Sequence, residues 1–169
     1  MGLHKDFPAS PFEELNPDTR WFPADEDLRD KGSEKLLPPL VTKLRQDVKS
    51  WRDGGYAGSS ATTLSLLNFW FLTKHPKPTS DNLDNHFQYY FAQRESVETI
   101  IYLYEIVGCR NPQDLLRYDL QGAVSLSMFE EAWFRLVTKQ ATGTGKTKVL
   151  SLLLVWSYFH KTYEEDSDL

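Results

Sequence analysis

Apolar positions recur at helical spacing along most of the middle of the chain. Leu40, Leu44, Val48 and Trp51 follow one another at intervals of four, four and three, which places them on one face of an α-helix. Lys43, Arg45, Lys49 and Arg52 fall on its other faces. Pro38-Pro39 supplies the start of this helix and Gly54-Gly55 its stop. A second helix is predicted from just after Ser59-Ser60 to about Lys74, and its interior, Leu64 to Leu72, is apolar nearly all round, which predicts burial. His75-Pro76-Lys77-Pro78-Thr79-Ser80-Asp81 breaks the pattern and predicts a loop. The longest helix is predicted over about Phe87 to Val107, with Val97, Ile100, Ile101, Tyr104 and Val107 as its stripe and Gly108 as its end. Asn111-Pro112-Gln113-Asp114 opens a shorter helix with Pro112 in the first turn. Residues 119–128 carry no assignable pattern.

The pattern changes near the end of the chain. Phe134-Arg135-Leu136-Val137-Thr138 reads as a short strand and Val149 to Phe159 as an apolar helix. Between them lies Ala141-Thr142-Gly143-Thr144-Gly145-Lys146-Thr147, which has the composition of a phosphate cradle. Gly143 and Gly145 let the backbone turn tightly enough to aim several N–H groups at one anion. The dipole of the following helix would face that anion. Lys146 would sit between the β- and γ-phosphates of ATP, and the Thr147 hydroxyl would complete the coordination of Mg²⁺. The amides of residues 143–147 would bind the β-phosphate, with Thr142 and Thr144 as the other polar members of the loop. A glycine turn that binds nothing is the bland alternative, and Gly-Lys-Thr at the mouth of an apolar helix argues against it.

One position departs from the general pattern G-x-x-x-x-G-K-[ST], whose first glycine falls where this chain has Gln140. In this form the loop resembles motif I of superfamily 2 helicases and of the motor subunits of type III restriction enzymes. The segment Tyr89-Tyr90-Phe91-Ala92-Gln93-Arg94-Glu95-Ser96-Val97-Glu98 is similar to the glutamine motif that precedes motif I in those proteins. The Gln93 carboxamide could pair with adenine at N6 and N7, where donor and acceptor match; the alternative is a surface glutamine on a helix. Trp51-Arg52-Asp53-Gly54-Gly55-Tyr56 and Leu152-Leu153-Leu154-Val155-Trp156 extend the likeness, in order, to most of residues 10–160.

The resemblance implies an α/β fold: a helical N-terminal region leading into the first strand, P-loop and helix of a RecA-like P-loop NTPase domain. It divides the chain into an irregular arm over 1–35, a helical region over 36–128 and the start of an ATPase domain over 129–169. It also implies ATP hydrolysis coupled to translocation on double-stranded DNA, with Lys146 as the catalytic residue and a modification or nuclease subunit or domain as a further partner. Only 22 residues follow Thr147, and the acids among them, Glu164-Glu165-Asp166-Ser167-Asp168, follow no apolar strand. No Walker B acid is therefore expected, so the chain reads as a fragment that ends after motif I and hydrolyses little ATP alone. A non-catalytic helical interaction module with a vestigial P-loop is the alternative from another class. A kinase or GTPase piece is disfavoured by the Ala-Thr-Gly-Thr form of the loop.

Composition narrows the setting. The chain has 169 residues, 40% of them apolar and 14% aromatic, enough for a globular core. Its net charge of −5 rules out a uniformly basic nucleic-acid coat but permits a local basic track. Lys43, Arg45, Lys49 and Arg52 could form one, although the wet side of a helix is the simpler reading. Cys109 is the only cysteine and Met1-Gly2-Leu3-His4-Lys5-Asp6 lacks a signal core, which together predict a cytoplasmic protein. The longest apolar run, Val149 to Trp156, is too short to span a bilayer, so no membrane partner is expected.

Other constellations carry less. Asp18, Asp47 and Lys49 mimic a nuclease pattern, but Asp47 and Lys49 fall on a predicted helix rather than on adjacent strands. His4, His75, His86 and His160 show no ligand spacing. The aromatic density of residues 87–104 suits core packing better than base stacking, since its spacing is helical. Ser10-Pro11-Phe12-Glu13-Glu14 could be an extended arm that docks on a partner domain, or part of a disordered terminus.

Overall fold

The computed structural model describes residues 10–17, 40–77, 86–119, 122, 124 and 136–169. It is mostly helical, and its contacts divide it into two compact units. The described residues of the first unit fall within 15–55 and 99–137, and those of the second within 9–14, 56–98 and 138–169.

The first unit contains helix α1 (Val41–Asp53) and a 3₁₀ helix (Pro112–Tyr118) packed on it. Leu103, Cys109 and Tyr118 form its buried cluster, and Leu40, Leu44, Tyr102 and Leu115 pack around them. The Trp51 and Tyr102 rings meet at 5.4 Å. Lys43–Asp47 and Lys49–Asp53 pair at helical spacing on the surface of α1. Two members of the candidate basic track are thus spent within the helix, and a third, Arg52, is buried. Asn111 and Asp114 cap the 3₁₀ helix reciprocally, each side chain taking the other's backbone N–H.

The second unit opens with α2 (Ala61–Leu67), which continues as a π-helical turn over Asn68–Leu72. Ser60 caps α2 by accepting from Thr63 N at 3.2 Å. A two-residue antiparallel ribbon follows, with β1 (His75–Pro76) paired to β2 (His86–Phe87). Helix α3 covers Phe91–Ile101 and a second π-helical turn covers Tyr102–Ile106; residues from Thr99 onward in this stretch belong to the first unit. The last helix, α4 (Lys146–Tyr163), lies on α2. Its buried residues Val149, Leu152, Trp156 and His160 keep one face at helical spacing. Trp156 Nε1 donates to the buried Thr63 hydroxyl at 2.8 Å, which satisfies two polar groups that water cannot reach.

Several expectations change. The predicted second helix forms but is not buried all round: Thr63, Leu67 and Trp70 are inside while Leu64, Phe69 and Leu72 are exposed. The third helix begins at Phe91 rather than Phe87, because residues 86–87 are used in the ribbon. Leu103, outside the predicted stripe, is buried in place of Tyr104. No strand precedes the glycine loop at 136–138, where the backbone is irregular, and residues 134–135 lie outside the described set. The ribbon is the only sheet among the described residues. Residues 10–14 dock on their own chain: Phe91 N donates to Pro11 O at 2.8 Å and the Phe12 ring meets Tyr90 at 5.3 Å. The rest of the predicted arm lies largely outside the described residues. No helix among the described residues is long and apolar enough to cross a membrane.

Candidate functional site

Residues 141–147 form a tight turn that runs directly into α4. Gly143 (φ +83) and Gly145 (φ +79) take the left-handed conformation that glycine adopts without steric penalty. Gly145 is the N-cap residue, so α4 starts at Lys146, three residues before the predicted Val149. In its first turn Lys148 N donates to Gly145 O at 2.9 Å, and the amides ahead of it have no partner within the helix. Thr144 Oγ1 donates to Ala141 O at 2.7 Å and closes the turn. Lys146 Nζ donates to the Gln140 and Ala141 carbonyls, both at 3.0 Å, so the ammonium curls back over the loop. Thr142 and Thr147 are exposed.

Helix α3 is the platform for this loop. Gln93 is 6% exposed, so it is not a surface glutamine. Its Nε2 donates to Thr144 O at 2.9 Å and its Oε1 accepts from Tyr90 N at 3.0 Å. A carboxamide with these two bonds keeps one N–H and one lone pair. A Cβ on Gly145 would lie 2.2 Å from Gln93 Nε2, so the site needs glycine for space as well as for conformation. Gln140 adds a second tie, donating from Nε2 to Ser96 Oγ and, at 3.4 Å, to Ala92 O. The residue that replaces the expected glycine thus fastens the loop to α3. Its departure from the loop pattern was the one sequence signal of that role; Ser96 gave none.

A buried polar ring braces α3 one turn further on. Tyr56 OH donates to Glu98 Oε1 at 2.6 Å, Arg94 Nε donates to the same oxygen at 2.8 Å, and Arg94 Nη2 donates to Tyr56 OH at 2.9 Å. Glu98 is fully buried. Burial and the Glu98 carboxylate push the Tyr56 hydroxyl well above the ordinary phenol range. Desolvation works against the Arg94 charge, but Glu98 and Tyr56 outweigh it and raise its pKa. Tyr56 itself has φ +61, uncommon for a residue with a side chain.

The structure therefore brings Gln93, Thr144 and Gly145 into one contact set and turns Lys146 back onto the Gln140 and Ala141 carbonyls. Comparison of the chain with protein-family models, with curated proteins and with solved structures finds no match.

Proposed function

We propose that residues 141–147 bind the phosphates of ATP and that the chain is the N-terminal, ATP-binding part of a helicase-like DNA translocase of the restriction-enzyme type, built on a RecA-like P-loop domain. The observation that carries this reading is the Gln93–Thr144 bond: the glutamine-motif residue is seated on the loop it would have to serve. The loop also fits the anion. Two left-handed glycines, a helix N-terminus and a lysine meet within seven residues. The amides of residues 143–147 would hold the β-phosphate, and Lys146 would exchange two neutral carbonyls for phosphate oxygens. The Thr147 hydroxyl would hold Mg²⁺, which supplies charge neutralisation at the phosphates. Among the described residues no three His, Cys, Asp or Glu side chains gather as ligands, so Thr147 and the nucleotide would supply the coordination. The spare N–H and lone pair of Gln93 suit the N7 and N6 positions of adenine. In the intact translocase the same Lys146 would stabilise charge on the γ-phosphate, with double-stranded DNA and a nuclease or modification partner engaged elsewhere.

The irregular backbone at 136–138 favours a second reading, a helical interaction module whose loop is vestigial. Equilibrium titration with a fluorescent ATP analogue in the presence of Mg²⁺ separates the two. Saturable binding that Lys146→Ala weakens at least about tenfold, roughly 1.4 kcal/mol, supports the ATP site. Absence of binding at millimolar nucleotide supports the module.

A further inference from the structure

A cavity of about 350 Å³ lies in the second unit, and none of residues 141–147 lines it. Nearly half of its lining residues are phenylalanine, tyrosine or tryptophan. Trp70, Phe71, Phe87 and Tyr89 contribute rings, with Phe71 and Phe87 meeting Tyr89 edge-on at 5.6 and 4.8 Å. Aromatic walls suit a flat ligand, the Arg94 guanidinium already lies 5.4 Å over the Phe71 ring, and the volume is at the small end of the roughly 300–1,000 Å³ of ligand pockets.

The polar groups on these walls narrow the choice. Arg94 is one of them. An arginine has five N–H donors; Glu98 and Tyr56 take the Nε–H and one Nη2–H, along one edge of the fork. The end-on edge, formed by Nη1 and the second Nη2 hydrogen, has no partner among the described residues. His86 also lines the cavity, and its Nδ1 is buried without a hydrogen-bond partner. Charge does not favour a free anion. Glu98 already balances Arg94, and the Glu14 carboxylate on the wall offsets Lys74.

We propose that this cavity is a nucleobase site, in which the end-on edge of Arg94 donates to two adjacent acceptors of a ring stacked between the aromatic walls. Guanine presents that pair at O6 and N7, whereas adenine presents a donor beside its N7. The site goes beyond the ATP reading, since it uses no loop residue. The base can arrive on a free nucleoside or on a single strand of nucleic acid, with the same flat ring and the same acceptors.

Tryptophan fluorescence of the full chain, titrated with guanosine, adenosine and two short oligothymidines, one with a single central guanine, tests this. Guanosine is expected to bind saturably and at least tenfold tighter than adenosine. Arg94→Lys, which keeps the charge and loses the fork, should erase that preference. Phe87→Ala removes an exposed wall, leaves the Tyr56–Glu98–Arg94 ring in place and should weaken guanosine at least tenfold. Lys146→Ala should leave guanosine binding unchanged. Tighter binding of the guanine-bearing strand than of guanosine assigns the base to a strand, and equal binding assigns it to a nucleoside. The proposal is overturned by absence of guanosine binding, by equal affinity for adenosine, or by full binding in a Phe87→Ala chain with the parent circular dichroism. It is also overturned by loss of binding in Lys146→Ala, which would move the base to the loop. ATP binding is read separately, by titrating the parent and Lys146→Ala chains with the ATP analogue.

Discussion

The Gln93 side chain donates to the Thr144 carbonyl across 2.9 Å, although the two residues are 51 positions apart. Gly145 sits against the same amide, with room for no Cβ. Gly145→Ala should therefore do two things: force an alanine into the left-handed region, at about 1–2 kcal/mol, and push Gln93 off the loop. Removing the amide relieves the second cost, so the two changes should not add. In a thermal-denaturation cycle the Gln93→Ala/Gly145→Ala chain should be more stable than the sum of the single losses predicts, by more than about 0.5 kcal/mol. Strict additivity would mean that the two residues do not meet.

Tyr56→Phe tests the brace beneath the loop platform. The substitution removes one of the two donors seen on the buried Glu98 oxygen and the acceptor for Arg94 Nη2. Leaving buried polar groups short of a partner costs about 1–3 kcal/mol. Urea denaturation should show a loss in that range with an unchanged slope, since the phenyl ring keeps the packing.

Glu164 gives the fold a defined acid sensitivity. Its Oε1 accepts from Thr62 N at 3.0 Å, in the first turn of α2. Hydrogen bonding from Thr62 holds its pKa below the ordinary carboxylate value. A carboxyl with a depressed folded value stabilises fully above its unfolded value, about 4.3, and loses that contribution as pH falls through the folded value. The melting temperature of the parent chain should exceed that of Glu164→Gln at pH 7, and the gap should close by pH 3. A gap that does not change with pH would contradict the assignment.

Cys109 should be silent in the folded chain. Burial, reinforced by Asp114, pushes its thiol up to about 11, and its Sγ donates to Asn111 O at 3.7 Å. Little thiolate exists at pH 8, so a disulfide reagent should react far more slowly with the native chain than with the urea-unfolded one. Because it is the only cysteine, the measured rate belongs to one site.

Helix ends were legible where a turn residue punctuates the pattern. Gly54 follows Asp53 at the end of α1, Gly108 stands at φ +66 soon after the second π-helical turn, and the Asn111–Asp114 pair caps the 3₁₀ helix. Burial was less legible. The π-helical turn over Asn68–Leu72 widens the helix and breaks the 3.6-residue period, so Phe69 and Leu72 point outward despite their apolar run. The glycines announced a tight loop because only they take left-handed backbone freely. The partner of Gln93 could not be read, since a contact across 51 positions leaves no trace in local periodicity. The strand expected over 134–138 rested on a short apolar run, a pattern that fits extended chain and coil alike.

Backbone amide NMR during addition of ATP with Mg²⁺ shows whether residues 141–147 grip the phosphates of a nucleotide. The amide resonances of Gly143, Gly145, Lys146 and Thr147 should shift first and saturate together, and Lys146→Ala should abolish the response. Resonances of those four amides that stay in place while nucleotide binds elsewhere would contradict it.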